Sequence, residues 1–178
     1  EKCKAGGKGL NVSMVLNEMH IPSTAIALLG GFSGAYIRDY LKDKKHITLK
    51  EIPVDGANRI NVKIQNHDKT ICINGNGPMA NEQTKDLLRC FLDQVNEHDW
   101  VMINGSYARQ LDHSFIVELA VQISQHGARL IMDTEGLDME LIRQCKPYLI
   151  KPNRYEFSLL IKEAVAMERI MDQAKAVL

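Results

Sequence analysis

Three glycines surround one lysine near the start of the chain, in the stretch Ala5-Gly6-Gly7-Lys8-Gly9-Leu10-Asn11, which leads directly into a helical pattern. Glycines let the backbone approach a ligand closely and adopt positive φ, and the first turn of a helix offers N–H groups without intrahelical partners. A lysine at such a place adds a full positive charge. This stretch predicts an anion site with phosphate as the natural ligand; a tight glycine turn beside a surface lysine is the alternative.

Two well-known phosphate motifs do not fit this stretch. A P-loop has four residues between its first glycine and Gly-Lys-Ser/Thr, whereas Leu10 and Asn11 follow Gly9 here. A dinucleotide fingerprint requires Gly-x-Gly-x-x-Gly after a strand. A phosphate bound here would therefore be held by another arrangement.

The elements that would position this stretch alternate between helix and strand. An apolar stripe made by Val12, Val15, Leu16 and Met19 predicts a helix that ends at Ile21-Pro22. A buried strand over Ser23 to Leu29 and a short helix over Ala35 to Leu41 follow. The alternation returns later with buried strands at Trp100 to Ile103, Leu130 to Met132 and Tyr148 to Ile150. This order predicts a mostly parallel sheet covered by helices.

The segment from about residue 47 to residue 75 is rich in strand patterns instead. They cover Thr48 to Ile52, Arg59 to Gln65 and Lys69 to Asn74, with Asn66-His67-Asp68 as a hairpin turn. Apolar and polar residues alternate strictly from Arg59 to Ile64, so Arg59, Asn61 and Lys63 share one face. A small sheet with such a polar face can cover a ligand; an ordinary solvated face is the alternative.

Polar and glycine residues follow the predicted strands of the main sheet, at Gly30-Gly31, Gly105-Ser106, Asp133 and Lys151 to Glu156. In open α/β sheets, ligands bind beyond the carboxyl ends of the strands. We therefore expect these residues to line one edge of the sheet.

Composition excludes several other classes. The 178 residues include 22 basic and 22 acidic side chains, so no nucleic-acid-binding surface is predicted. Four widely spaced cysteines predict neither a zinc site nor a disulfide framework. The sequence has no long apolar run and no signal-peptide pattern, so no membrane partner is indicated and a cytoplasmic location is expected.

Taken in order, these motifs resemble those of the ribokinase-like, or PfkB, carbohydrate kinases, and most of all the 1-phosphofructokinase and tagatose-6-phosphate kinase branch. The likeness spans residues 5 to about 161. Besides the glycine-lysine stretch, the motifs are Gly30-Gly31-Phe32-Ser33-Gly34, Arg59-Ile60-Asn61-Val62-Lys63, Asn76-Gly77-Pro78, Gly105-Ser106, Asp133-Thr134 and Lys151-Pro152-Asn153-Arg154-Tyr155-Glu156. The resemblance implies an α/β fold, a ribokinase-like three-layer sandwich with a mostly parallel sheet and a small β-sheet lid, whose strands are inserted at about residues 47–75.

The resemblance also implies an activity, the ATP-dependent phosphorylation of a sugar phosphate of the fructose 1-phosphate or tagatose 6-phosphate class, with ATP and Mg²⁺. The residues that would bind the sugar phosphate are Gly7, Lys8, Asn11, Arg59 and Ser106. In this family the lid often pairs with that of a second subunit, which implies a homodimer.

Residues near the end of the likeness would serve the nucleotide. By resemblance, Lys151 and Asn153 lie near its phosphates, and Asn153 and Glu156 position magnesium, with Asp133 a weaker candidate for the same ion. Asn153 and Glu156 also fit a plain helix cap, because they lie three residues apart at the start of a predicted helix.

The chain also departs from the family pattern. Where the family reads Gly-Ser-Leu-Pro-x-Gly, this chain reads Gly105-Ser106-Tyr107-Ala108-Arg109-Gln110. It contains no Gly-Ala-Gly-Asp loop, which carries the family's catalytic aspartate, and no aspartate-bearing first strand before residue 5. We therefore expect residues 1–178 to be a single partial domain that lacks both ends, including its nucleotide-binding C-terminal part, and that contains no catalytic residue. A non-catalytic sugar-phosphate-binding or regulatory protein is the alternative.

Overall fold

The computed structural model describes residues 3–66, 69–163 and 165–175. Its helices are α1 (Lys8–Glu18), α2 (Gly31–Leu41), α3 (Glu82–Leu92), α4 (His113–Gln125), α5 (Met139–Cys145), α6 (Arg154–Ile161) and α7 (Ile170–Lys175). Its strands are β1 (Ser23–Leu29), β2 (Ile47–Pro53), β3 (Asn61–Asn66), β4 (Lys69–Asn74), β5 (Trp100–Gly105), β6 (Arg129–Thr134) and β7 (Leu149–Ile150). Helices and strands alternate as predicted, which confirms the α/β class.

The chain divides into two compact units. Unit 1 comprises the described part of Glu1–Gln94 together with Ala108–Asp112, and unit 2 comprises Val95–Tyr107 and the described part of His113–Leu178. Met79 forms an isolated parallel bridge with Arg109, and the Ala80 N–H donates to the Arg109 carbonyl at 3.0 Å. These contacts attach the segment after Tyr107 to unit 1.

In unit 1, β1 and β2 pair in parallel, with Ser23 opposite Ile47 and Leu29 opposite Pro53. Helices α1, α2 and α3 pack on this pair. The apolar side chains buried between these layers include Ala25, Leu29, Leu41, Ile52 and Leu92. Helix α2 begins at Gly31, four residues earlier than predicted, so the two glycines after β1 form its N-terminus.

Strands β3 and β4 form the predicted antiparallel hairpin, from Asn61 opposite Asn74 to Asn66 opposite Lys69. Two residues of the predicted turn, His67 and Asp68, lie outside the described residues. The first β-rich segment, expected in the lid, lies elsewhere, because β2 pairs in parallel with β1 and not with the hairpin. Strand content alone does not tell a lid strand from a strand of the main sheet.

In unit 2, β5, β6 and β7 form a parallel sheet in that order. Helix α4 packs against β6 and α5, and it buries Phe115, Ile116, Leu119 and Ile123 at helical spacing. The predicted burial of β5 was wrong at its start, because Trp100 is 52% exposed. Its ring contacts Tyr148 edge-on at 5.2 Å, and the Arg129 guanidinium lies 4.9 Å from its centre.

The cysteines are free thiols: Cys3, Cys72 and Cys90 are exposed and Cys145 is buried. Burial raises the pKa of the Cys145 thiol. Within the described residues, no helix has the length and apolar character needed to cross a membrane.

Candidate functional site

The glycine-lysine stretch forms the N-terminus of α1. Gly7 precedes the helix with φ 127°, a conformation that favours glycine, and nothing lies within 4 Å of the place where its Cβ would be. Lys8 is the first helical residue, and the Asn11 N–H makes a helical bond to the Gly7 carbonyl at 2.9 Å. Gly7, Lys8 and Asn11 are therefore brought together around the amino end of one helix, which is the geometry of an anion site.

Arg59 is held next to the turn that follows β1. Its neighbour Asn58 accepts a hydrogen bond from the Gly30 N–H at 2.9 Å and donates one to the Leu28 carbonyl at 2.7 Å. The Ser33 hydroxyl donates to the Asn58 carbonyl at 3.0 Å. Arg59 itself is exposed. The loop before β3 is therefore fastened to the carboxyl end of β1, and it presents Arg59 there.

The backbone at this turn leaves no room for a larger residue. A Cβ on Gly30 would collide with the carbonyl oxygens of Val54 and Gly56. Asn58 was missed by sequence reasoning, because an asparagine two residues after a glycine reads as an ordinary turn residue. The glycine pair was the available signal, since such glycines mark a close approach of backbone segments.

In unit 2, Asp133 and Lys151 meet at the carboxyl ends of β6 and β7. The Lys151 N–H donates to the Met132 carbonyl at 3.0 Å, and its ammonium nitrogen lies 2.9 Å from Asp133 Oδ2. The Asp133 side chain is 10% exposed and the Lys151 side chain 65% exposed. The carboxylate therefore anchors an ammonium group that remains open to solvent.

The glycine-serine turn lies beside this pair. Asn104 is paired with Asp133 and Gly105 with Thr134 in the sheet register, and the Thr134 hydroxyl donates to the Gly105 carbonyl. Gly105 has φ 82°. Ser106 follows it and is exposed. The predicted convergence at the strand ends is thus confirmed within unit 2 for Ser106, Asp133 and Lys151.

Asn153 and Glu156 form a capping box at the start of α6. The Glu156 N–H donates to Asn153 Oδ1 at 2.9 Å, and the Asn153 N–H donates to Glu156 Oε2 at 2.8 Å. The helix cap, which was the alternative interpretation of this pair, is therefore formed. Oxygen donors of this kind still suit magnesium, which prefers one or two carboxylates plus phosphates and water.

No group of three or more His, Cys, Asp or Glu side chains within residues 3–66, 69–163 and 165–175 could hold a metal. A magnesium ion at Asn153 and Glu156 would therefore depend on phosphate oxygens for much of its coordination. The metal roles of Asn153, Glu156 and Asp133 remain predictions.

Two buried polar atoms lie at the end of β5. Asn104 Oδ1 and the Tyr107 hydroxyl have no hydrogen-bond partner among the described residues, although Thr134 lies near the hydroxyl. Burial raises the pKa of Tyr107. Tyr107 occupies the place of the family's leucine, so the departure noted in the sequence puts an unsatisfied hydroxyl beside Ser106.

A cavity of about 220 Å³ lies at the opposite end of the unit 2 sheet. Its lining includes Arg129 and Leu130, which begin β6, together with Ser124, Cys145 and Tyr148. None of the predicted site residues lines it. The residues of the candidate site in unit 2 gather instead at the carboxyl ends of the strands.

Comparisons with known proteins bear on the whole chain. The model of the pfkB family of carbohydrate kinases matches residues 1–178. The chain is 35% identical over 163 residues to 1-phosphofructokinase from Bacillus subtilis, a match that covers 90% of this chain and 52% of the relative. It is 29% identical over 180 residues to D-tagatose-1-phosphate kinase from Bacillus licheniformis, covering all of this chain and 59% of that protein.

The fold has solved counterparts as well. The crystal structure of Escherichia coli phosphofructokinase-2 in complex with fructose-6-phosphate matches with a TM-score of 0.83 at 21% identity, covering 99% of this chain and 61% of that one. This likeness confirms the ribokinase-like fold class. The chain spans about half the length of the curated relatives it matches. The family match over its full length identifies the chain as a member of the pfkB family of carbohydrate kinases.

Proposed function

We propose that the full-length protein transfers the γ-phosphoryl group of ATP to a hydroxyl of a sugar phosphate of the fructose 1-phosphate or tagatose phosphate class, in the cytoplasm. The observation that carries the proposal is the placement of Lys8 and Asn11 on the first turn of α1, behind a glycine with φ 127°. Relatives named as kinases of fructose and tagatose phosphates support the substrate class.

The sugar phosphate would be bound by Gly7, Lys8, Asn11, Arg59 and Ser106. An ammonium group and helix N–H groups favour a dianionic phosphate, and a guanidinium adds two parallel hydrogen bonds to its oxygens. Arg59 suits this role because Asn58 fastens its loop, so the loop backbone loses little conformational freedom when Arg59 binds a ligand.

The nucleotide phosphates would be bound near Lys151 and Asn153. Phosphoryl transfer depends mainly on alignment and on positive charge near oxygens of the transferred group. The Lys151 ammonium, anchored by Asp133 and largely exposed, can supply such charge. Magnesium, when bound through Asn153 and Glu156, would neutralise phosphate charge; Asp133 would act mainly by holding Lys151.

The test is ADP release by the full-length protein with ATP, Mg²⁺ and each of fructose 1-phosphate, tagatose 1-phosphate, tagatose 6-phosphate and fructose 6-phosphate. We expect turnover with at least one of them. Lys8→Ala should lower kcat/KM for that sugar phosphate about 10- to 150-fold, since one charge-assisted contact contributes roughly 1.5–3 kcal/mol. Lys45→Ala, which removes an exposed lysine elsewhere in unit 1, is the matched control.

Arg59→Lys separates charge from geometry in the same assay. A lysine keeps the charge but cannot make two parallel bonds, so the KM for the sugar phosphate should rise. Sugar-phosphate binding by calorimetry without ADP release would favour the non-catalytic alternative. Absence of both binding and turnover with all four compounds would refute the proposed substrate class.

We further propose that the hairpin joins two copies of the chain. Ile60, Val62 and Ile64 share one face of the hairpin with Ile71 and Ile73, and the five side chains are between 45% and 57% exposed. An apolar face of this kind usually marks an interaction surface. A second copy presents the same face, so a twofold pairing of two hairpins would bury both.

Light scattering coupled to gel filtration tests this pairing. Ile71→Lys places a charge in the apolar face and should shift the protein to the monomer. Gln65→Lys adds the same charge to the opposite face of the hairpin and should leave the mass unchanged. Equal effects of the two variants, or a monomeric wild-type protein, would contradict the proposed dimer.

A further inference from the structure

Two histidines meet at the end of unit 1 that lies away from Lys8. His20 follows α1 with φ 59°, and His46 directly precedes β2. His20 Nδ1 lies 3.2 Å from His46 Nε2, and the ring centres are 5.2 Å apart at an interplanar angle of 77°. The two ring nitrogens are therefore directed at one another, although the residues are 26 positions apart in the chain.

One asparagine fixes the backbone of both histidines. The Asn17 carbonyl accepts from the His20 N–H at 3.0 Å, and Asn17 Oδ1 accepts from the His46 N–H at 3.0 Å. The His46 carbonyl accepts from the Ser23 N–H at 2.8 Å. The pair is thus held by the end of α1 and the start of β1, so its backbone geometry exists before any ligand binds.

The spacing of the two nitrogens matches that of two ligands on one metal ion. Zinc–imidazole bonds are about 2.0–2.1 Å long, so two nitrogens of a tetrahedral site lie about 3.3 Å apart. Imidazole is a preferred ligand of Zn²⁺, Ni²⁺ and Cu²⁺. We propose that His20 and His46 chelate one divalent transition-metal ion, for which Zn²⁺ is the test case.

Without metal, the two rings share a hydrogen bond in which one nitrogen donates and the other accepts. Metal binding would replace this bond with two coordinate bonds from neutral imidazoles. No third His, Cys, Asp or Glu among the described residues completes the cluster. The other two positions of a tetrahedral ion would be filled by water, so the affinity should be moderate rather than that of a structural zinc site.

A bound ion would fasten the carboxyl end of α1 to the segment that enters β2. The eleven residues of α1 separate this site from Lys8 by about 16 Å along the helix axis. We therefore expect metal to stabilise the fold without taking part in phosphoryl transfer. The proposal does not depend on the proposed kinase activity.

Zn²⁺ titration of the full-length protein, purified without a histidine tag, tests the site by calorimetry. His20→Asn suits the left-handed backbone at this position, and His46→Gln removes the other ring. Each should weaken the binding of this ion by at least about tenfold, since even a residue that only supports a ligand contributes 10- to 100-fold. His113→Gln, which removes an exposed imidazole in unit 2, should leave the binding unchanged.

Thermal melts provide a second readout, because a ligand of the native state raises the melting temperature. Zn²⁺ should raise it in the wild-type protein and in His113→Gln, and much less in the two pair variants. Asn17→Ala should reduce the Zn²⁺ effect while both imidazoles remain, and Asn17→Asp, which keeps both acceptors, should preserve it. Unchanged binding in either pair variant, or no Zn²⁺ binding by the wild-type protein, would overturn the proposal.

Discussion

The ammonium nitrogen of Lys151 lies 2.9 Å from Oδ2 of Asp133, across the carboxyl ends of two adjacent strands. The Asp133 carboxylate is almost buried, whereas the Lys151 side chain is mostly exposed to solvent. This arrangement gives Asp133 a direct task, which is to orient Lys151.

Asp133→Asn should therefore impair the use of ATP more than the binding of the sugar phosphate. The amide cannot hold the ammonium by charge, and misplacement of a positioned group can cost up to about 100-fold in rate. We expect kcat/KM for ATP to fall and the KM for the sugar phosphate to change little. Steady-state kinetics of Asp133→Asn, Lys151→Met and the double variant measure the coupling. Strictly additive effects of the two substitutions would show that the ion pair has no role.

Glu156→Gln separates the two roles of the capping box. A glutamine can still accept from the Asn153 N–H, so the cap is retained and only the charge is lost. If Glu156 positions magnesium, turnover should fall and the magnesium requirement should rise, with stability lowered by no more than about 0.3–1 kcal/mol. A magnesium titration of initial rates, set beside a melting curve, measures both. Normal rates at low magnesium would limit Glu156 to the cap.

Asn58→Ala should destabilise unit 1 and also weaken sugar-phosphate binding. It leaves the Gly30 N–H and the Leu28 carbonyl without their side-chain partner, at a cost of about 1–3 kcal/mol for each group that stays buried. The loop that carries Arg59 would lose its anchor, so the KM for the sugar phosphate should rise. Asn58→Asp keeps the acceptor for Gly30 and should give a smaller loss. Denaturant unfolding and kinetics of both variants decide whether the anchor matters.

Arg38→Met should make unit 1 less stable at neutral pH. Arg38 forms two hydrogen bonds with Glu51, and these bonds hold the pKa of the Glu51 carboxyl below its usual range. A lowered native pKa adds stability above the unfolded pKa of about 4.3, and this stability is lost as the pH falls through the native pKa. The melting temperature should drop by a few degrees at most at pH 7, because the pair is largely solvated.

Melting temperatures of wild type and Arg38→Met at lower pH test the direction of this pH dependence. The difference between wild type and Arg38→Met should shrink as the pH falls through the lowered native pKa of Glu51, below which Glu51 is protonated in both proteins. Lys42→Met, which breaks the exposed pair with Asp39 at the end of α2, is the control and should change little. A difference that stays constant from pH 7 to pH 3 would contradict the electrostatic explanation.

The alternation of helices and strands could be predicted from the sequence because apolar residues recur at the spacing of a helix or of a strand, although Val15 and Met19 of the α1 stripe are 59% and 60% exposed. Val12, Val15, Leu16 and Met19 predicted α1, and Ser23–Leu29 matched β1 residue for residue. The strand-end position of Asp133 likewise followed from the parallel order of the sheet. These features depend on local periodicity and on a general rule of topology.

Other features depend on pairings between distant segments, which local patterns do not encode. The β2 segment has the composition of a lid strand, and only its pairing with β1 separates it from the hairpin. The role of Asn58 depends on its hydrogen bond from the distant Gly30 N–H. Arg129 and Tyr148 contact the Trp100 ring, which is otherwise half exposed. The sequence motif of Asn153 and Glu156 was recognised, but the motif alone did not distinguish a cap from a metal site.

The hairpin restricts which changes of length the chain can accept. Val62 opposes Ile73 on one face, and Lys63 opposes Cys72 on the other. Deleting one residue within β3 would transfer every side chain beyond it to the opposite face, unless a bulge absorbed the change. Lysine would then take the place of isoleucine on the apolar face, and the apolar and polar faces of the hairpin would be disrupted together. Insertions and deletions in β3 and β4 should therefore be tolerated in steps of two residues, whereas single substitutions alter one face at a time.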